Sequence, residues 1–323
     1  MAIIEIDRLT KQYDQFVAVK GLTFDVREGE FFGLLGPNGA GKTTTLLMLT
    51  TLLKPTAGTA RVKGFDVVRE PAQVRRSIGI VFQDPSSDDT LSGYENLKLH
   101  ALLYGMPAPL REQRIKEVLE LVDLTARQHD IVKKYSGGMR RRLELARGLM
   151  HRPAVLFLDE PTLGLDPQSR AHIWHYIEGL SREEGISVVI TTHYMEEVER
   201  LCGRVAIMDE GQVVALDTPD NLKRVIGGDL VLIRARDANL PAIRQVTAVK
   251  KVETRNDVVA VTVTDAALHL AEILKVAGPV TSVEVREATL NDVFLHFTGR
   301  EMREDAPEGG WAERSMRYRS GTR

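Results

Sequence analysis

The stretch GPNGAGKTT, residues 36–44, stands between an apolar run, FFGLL, and a helical one, TTLLMLTTLL. It fits the pattern G-x-x-x-x-G-K-T from Gly36 to Thr43, and in a strand-loop-helix setting that pattern is a phosphate cradle. Its glycines let successive backbone N–H groups curl around a β-phosphate, Lys42 reaches the β- and γ-oxygens, and the Thr43 hydroxyl is a ligand for Mg2+. The residues expected to hold a nucleotide here are Gly36, Pro37, Asn38, Gly39, Ala40, Gly41, Lys42, Thr43 and Thr44. A glycine-rich turn with a surface lysine would share the letters without the flanking strand and helix.

Two carboxylates close the apolar run in AVLFLDEPT. Asp159, the first after the run, suits a Mg2+ shell, and Glu160 suits a general base or a group that orients an attacking water. Solvated carboxylates at a strand end are the plain alternative, and the cradle upstream weighs against it. A third stretch, KYSGGMRRRLELARGLM (134–150), sets Ser136, Gly137 and Gly138 at the start of an amphipathic helix. Small residues at a helix start leave N–H groups uncovered and pointing outward, where they receive an anion. Arg140, Arg141 and Arg142 continue this helix. Solvated exposure is their expected state, with a phosphate or domain-interface contact as the alternative.

Such residues need a scaffold, and 323 residues suffice for about two domains. Lysine plus arginine (43) nearly balance aspartate plus glutamate (45), so no basic excess argues for nucleic acid as a partner. The single cysteine, Cys202, reads as a core thiol in a reducing cytoplasm. The N-terminus lacks a basic segment followed by an apolar one, so no signal peptide is expected. The apolar runs are far shorter than the ~20 residues of a membrane helix and read as buried parallel strands.

Up to about residue 225 these runs alternate with helical patterns, which predicts a doubly wound α/β core. A helical insert spans about 84–150. It includes LREQRIKEVLELVDL, with Ile115, Val118, Leu119 and Val122 at i, i+3, i+4, i+7. IGGD (226–229) reads as a hinge, and 230–300 follows the order βαββαβ of a ferredoxin-like unit. Asp265 is expected to cap one helix there and Thr289-x-x-Asp292 to open a last one. The tail, 301–323, reads as disordered.

The cradle, YSGGM and LDEPT, in this order and spacing, resemble the ATPase subunit of an ATP-binding-cassette (ABC) transporter. The resemblance implies a P-loop NTPase fold, α/β, with a RecA-like core and β and helical subdomains over 1–225, and a small α+β accessory domain over 230–300. It implies ATP and Mg2+ as cofactors. It also implies a second copy as partner, because in such proteins the signature turn of one subunit closes over the γ-phosphate held by the P-loop of the other. Ser136, Gly137 and Gly138 would then be a half-site donated across a homodimer.

Other residues fall where the family pattern asks. Tyr13 matches the aromatic that stacks on adenine, and Gln83, in VFQD, matches the glutamine linking Mg2+ and the nucleophilic water to the transmembrane partner. His193, closing SVVITTH, matches the switch histidine that contacts the γ-phosphate. Gly164, Leu165 and Asp166 resemble the loop that communicates between the two sites. The implied catalytic residues are thus Lys42, Gln83, Glu160 and His193, and the metal ligands Thr43, Gln83 and Asp159. The signature commonly reads Leu-Ser-Gly-Gly-Gln; here Tyr135 and Met139 hold the outer positions, and Met139 cannot repeat the glutamine's hydrogen bonds.

YSGGMRRRLELARGL and ATLNDVFLHFTG are similar to the daunorubicin-resistance type of subunit. That implies ATP-driven export of drugs, antibiotics, lipids or related amphiphiles through a separately encoded permease, at the cytoplasmic face of the membrane. The permease would dock on the insert, at SSDDTLSGYENL. Within the family, export of an ion or a polysaccharide is the alternative. A soluble cassette acting on ribosomes or DNA would usually carry two cassettes or long coiled-coil or basic insertions, and neither feature stands in the chain. A non-hydrolytic nucleotide sensor is opposed by Glu160 and His193.

Overall fold

The computed structural model describes residues 1–235, 238–255, 258–300 and 302, so the tail expected to be disordered lies, Met302 aside, outside the described residues. The described chain divides into two compact units, Met1–Leu216 and Asp217–Met302.

In the first unit, β1 (Ala2–Tyr13) and β2 (Phe16–Arg27) pair antiparallel, and β4 (Ala57–Val62) and β5 (Phe65–Asp66) extend the sheet in the order β2-β1-β4-β5. Alternate residues such as Ile4, Ile6, Phe24 and Val26 turn inward while Glu5 and Asp25 face out, as a sheet with one covered face requires. The second sheet has the order β10-β9-β3-β8-β7-β6. Its central strands β3 (Phe31–Leu35), β7 (Val155–Asp159) and β8 (Ser187–Thr192) are buried at every residue, the state of parallel strands covered on both faces. They run parallel, with Leu35 opposite Thr192 and Asp159 opposite Thr191, so their C-terminal ends share one edge. α1 (Lys42–Leu49) places Leu46, Met48 and Leu49 in one core with Ile4, Phe24, Val62, Phe32 and Phe157, joining both sheets.

α2 (Pro71–Ser77) leads into β6 (Ile78–Val81), which pairs with β7. The helical insert follows. α3 (Gly93–Leu103) opens on a Ser92–Glu95 capping box, and α4 (Ala108–Leu121) buries Ile115, Val118 and Leu119, with Val122 just beyond, as its periodicity predicts. α5 (Gly137–Leu149) packs against α3, α4, β6 and α6 (Pro167–Glu184). α7 (Met195–Leu201), β9 (Arg204–Asp209) and β10 (Gln212–Asp217) complete the unit. Cys202 is buried, and desolvation holds its thiol well above the usual range, as a core thiol should be.

The second unit begins with α8 (Pro219–Ile226), which packs on α11 (Leu290–Thr298) and buries Leu222. The division therefore falls ahead of the expected hinge at 226–229. β11 (Asp229–Arg234), α9 (Leu240–Arg244), β12 (Val249–Arg255), β13 (Val258–Val263), α10 (Ala266–Ala277) and β14 (Ser282–Arg286) follow the βαββαβ order. The sheet is antiparallel in the order β12-β13-β11-β14, with the first strand between third and fourth, the ferredoxin-like arrangement. Asp265 caps α10 through a long contact to the Leu268 amide, 3.4 Å. Thr289 and Asp292 form a full capping box on α11, and Arg286 grips Asp292 at 2.6 and 2.9 Å.

A chain ending at Asp217 is expected to fold and to bind ATP as the full chain does, whereas one ending at Gly227 uncovers the Leu222 face of α8 and aggregates more readily. Thermal unfolding with nucleotide titration measures both. Loss of nucleotide binding in a folded chain ending at Asp217 would contradict the division.

Candidate functional site

The cradle begins where β3 ends. A Cβ on Gly36 would stand 2.3 Å from the Met208 carbonyl oxygen, so no other residue passes that point without moving the backbone. Gly41 caps α1 at a φ of +96°, and its Cβ would meet the Ala18 carbonyl oxygen at 2.7 Å. α1 has no side-chain cap and no acidic residue in its first turn, which leaves its leading amides, with Thr44 among them, for a phosphate. Lys42 is only 4% exposed. Its ammonium donates to the carbonyls of Gly36 (2.6 Å) and Pro37 (3.1 Å) and lies 3.6 Å from Glu160 Oε1.

Thr43 Oγ1 donates to Asp159 Oδ1 at 3.0 Å, and Thr191 Oγ1 donates to the same oxygen at 2.6 Å. A hydroxyl and an oriented carboxylate side by side are hard oxygen donors, the set that Mg2+ prefers. Glu160, the next residue, has a φ of +45°. This left-handed conformation costs a side-chain-bearing residue about 1–3 kcal/mol and persists only where surroundings enforce it. Its amide donates to the Thr191 carbonyl (3.0 Å) and hydroxyl (3.2 Å), and its carbonyl accepts from Leu163 N (3.2 Å) and Arg141 Nη2 (3.1 Å).

That conformation aims the Glu160 carboxylate between Lys42 and His193, whose Nδ1 is 3.1 Å from Oε2 but off the line that a hydrogen bond needs. Burial pushes the Glu160 carboxyl up, but His193 and Lys42 outweigh it and hold the group below the ordinary 4.5. It is ionised at neutral pH, the form a base requires. His193 in turn packs on the Tyr194 ring, with centroids 4.1 Å apart.

Gln83 lies just past β6, and because Val81 pairs with Leu158 it leaves the same sheet edge as Asp159. Tyr13 ends β1 in a hairpin, with the Lys11 ammonium 5.0 Å from its ring centroid. Ser136 does not leave all the leading amides of α5 uncovered, as its small size predicts; its hydroxyl caps the helix by accepting from Met139 N at 3.2 Å. Ser136 and Gly137 are exposed, and the turn neighbours Leu165 and Ser169. There Asp166 caps α6 through Ser169 N, 2.9 Å. The structure thus gathers Lys42, Thr43, Asp159, Glu160 and His193 in one cluster. Tyr13 and the Ser136–Gly138 turn are surfaces of the same unit on other elements.

The expected solvation is overturned for Arg141, while Arg140 and Arg142 are half-buried and paired. Arg140 pairs with Asp89, Arg142 donates to the carbonyls of Val122 and Asp123, both at 3.1 Å, and Arg141 is 6% exposed. The signal was present in the helical spacing: Arg141, Leu145 and Gly148 stand at i, i+4, i+7 on the buried face of α5. Two further residues escape sequence reasoning. Thr191 orients Asp159 from the neighbouring strand. Glu197 of α7, fully buried, accepts from Thr162 Oγ1 and from Trp174 Nε1 (3.0 Å), bracing the turn after Glu160.

Residues 19–163 match the family model described as ABC transporter, and 218–298 match the C-terminal domain of DrrA1-3-like ATP-binding proteins. The chain is 38% identical over 313 residues to the linearmycin resistance ATP-binding protein LnrL of Bacillus subtilis (strain 168), covering 94% of this chain and 100% of the relative. It is 40% identical over 307 residues to the daunorubicin resistance ATP-binding protein DrrA2 of Streptomyces coeruleorubidus, covering 92% and 95%. A solved dimeric ATP-binding cassette in a post-hydrolysis state, bound to ADP and Pi, is similar with a TM-score of 0.61 and 28% identity, over 67% of this chain and 98% of that one.

Glu160→Gln is expected to keep the fold and the ATP affinity while slowing turnover by ~10²–10⁴-fold, the range lost with a general base. Steady-state phosphate release beside equilibrium nucleotide binding reads both, and near-normal turnover would remove Glu160 from that role.

Proposed function

This chain belongs to the ABC transporter family, and from that premise we propose that it is the ATP-hydrolysing subunit of an exporter, working as a pair of copies with a separately encoded permease. The observation that carries this reading is the cluster of Lys42, Thr43, Asp159, Glu160 and His193 at one edge of the parallel sheet. The linearmycin and daunorubicin resistance of the relatives support an amphiphilic drug, antibiotic or lipid as cargo.

In this reading backbone amides within residues 38–44 and the Lys42 ammonium hold the β- and γ-phosphates, and Tyr13 stacks on the adenine. Mg2+ would be held by Thr43 and Asp159, with Gln83 from the neighbouring strand end, and supplies charge neutralisation on the phosphates. Glu160 orients a water and takes its proton as the oxygen adds to the γ-phosphorus and the bond to the bridging oxygen breaks, giving ADP and phosphate. His193 steadies Glu160 and reaches the γ-phosphate. Positioning and charge do most of this work, because phosphoryl transfer asks little covalent chemistry of a protein. The Ser136 hydroxyl and the Gly137 and Gly138 amides close over the γ-phosphate held by the second copy.

Docking of the permease on the insert, at the cytoplasmic face of the membrane, is supported by an apolar surface on α3. Leu99, Leu102, Leu103 and Tyr104 are exposed there. Of these, Tyr104 also lines a cleft of about 200 Å3, together with Phe82, Ser86, His100 and His151. This surface lies further along the chain than the SSDDTLSGYENL edge, whose Ser86 and Ser87 amides are tied back to Glu144 at 3.2 and 2.8 Å. No helix of the described residues is long and apolar enough to cross a membrane.

In the Glu160→Gln background, chains with the native turn are expected to dimerise when ATP is added. Ser136→Arg in addition should abolish the dimer while each chain still binds ATP through Lys42 and Tyr13. Size-exclusion chromatography and nucleotide titration separate the two effects. If the double variant loses monomeric ATP affinity as severely as Lys42→Ala does, Ser136 acts within its own chain and the shared site is wrong.

A further inference from the structure

Arg141 spends its guanidinium on backbone. Nε donates to the Pro161 carbonyl, Nη1 to those of Phe82 and, at 3.4 Å, Gln83, and Nη2 to those of Asp159 and Glu160, each at 3.1 Å. Burial pulls its pKa down to about 10, with Glu144, Asp159 and Glu197 opposing, so it stays charged at neutral pH. A buried cation is a costly way to satisfy carbonyls, and apolar packing of similar volume often does as well for stability alone. What sets this cation apart is which carbonyls it joins. Those of Phe82 and Gln83 follow β6; those of Asp159, Glu160 and Pro161 end β7 and start the next turn. Glu160 is also the residue held at a φ of +45°.

We propose that Arg141 is a positioning residue for hydrolysis: its fork locks the segment bearing Gln83 against the strand end bearing Asp159 and Glu160. It touches neither nucleotide nor water, and acts through the distance between these three side chains. The inference rests on the hydrolytic reading of the site. A planar fork with donors on three nitrogens spans two segments, whereas a lysine offers one point charge and a glutamine one amide nitrogen. Arg141 stands on the helix that Ser136 caps, so the same element that would meet the second copy's nucleotide also holds this chain's own carboxylates in place.

The test uses the full chain in excess over ATP, in single turnover across a Mg2+ series, with Arg141→Lys and Arg141→Gln. Nucleotide affinity should stay that of the native chain while the hydrolysis rate falls by about 10–100-fold, the usual loss when a supporting group behind a ligand is removed. The Lys variant should lie nearer the native rate, and both should need more Mg2+ for half-maximal rate. Amide exchange should quicken at 82–84 and 159–163 and stay unchanged in α4. A native rate at every Mg2+ concentration overturns the proposal. So does a loss of affinity in step with rate, or failure of both variants to fold, since either assigns Arg141 to the fold alone. A native chain that does not hydrolyse ATP in the same assay sinks the hydrolytic reading before the variants are compared.

Discussion

The parallel register of β3, β8 and β7 is the constraint from which the site follows. With Leu35 opposite Thr192 and Asp159 opposite Thr191, three segments that are remote in sequence leave the sheet along one edge. Parallel strands of this kind need both faces covered, which the full burial of all three strands satisfies, and ligands bind beyond their carboxyl ends. Each strand end then contributes one part: the cradle with Lys42 and Thr43, the carboxylates Asp159 and Glu160, and His193. A slip of one residue between β7 and β8 would separate Thr191 from Asp159 and undo the orientation of the proposed metal ligand.

Bringing a lysine and a glutamate together at 4% and 8% exposure is expensive unless each has further partners. Lys42 has the Gly36 and Pro37 carbonyls, and Glu160 has His193. The left-handed backbone of Glu160 is the second expense, offset by Thr191 on its amide and by Leu163 and Arg141 on its carbonyl. α5 is central to this support. It carries the exposed turn at its head, the guanidinium in its second turn, and then Glu144, which holds the Ser86 and Ser87 amides. One rigid element therefore reaches the proposed partner surface, the strand ends of the proposed hydrolytic site and the edge of the α3 cleft.

The parts of this arrangement legible in the sequence are those whose physics is local. GPNGAGKTT between a strand and a helix, the carboxylates closing an apolar run, the α4 stripe and the caps at Asp265 and Thr289 each announce themselves within a dozen residues. The ferredoxin-like order follows from such local signals added along the chain. For Arg141 the spacing along α5 reports burial, but its partners lie at 82–83 and 159–161, out of reach of any local pattern. The roles of Thr191 and Glu197 are likewise non-local: each acts across a strand or helix pairing that no local pattern reports. α8 could pack against either unit by its amphipathicity, and only the contact with α11 assigns it.

The claim that two copies share each nucleotide can be tested most directly by placing one thiol on each half. Asn38 and Ser136 are both exposed, and the one native cysteine, Cys202, is buried, so added thiols would react cleanly. Asn38→Cys chains mixed with Ser136→Cys chains should give a covalent dimer with a short thiol-reactive bridge when ATP is present, and little without it. No dimer in the mixture, together with crosslinking inside a single chain carrying both substitutions, would contradict the shared site.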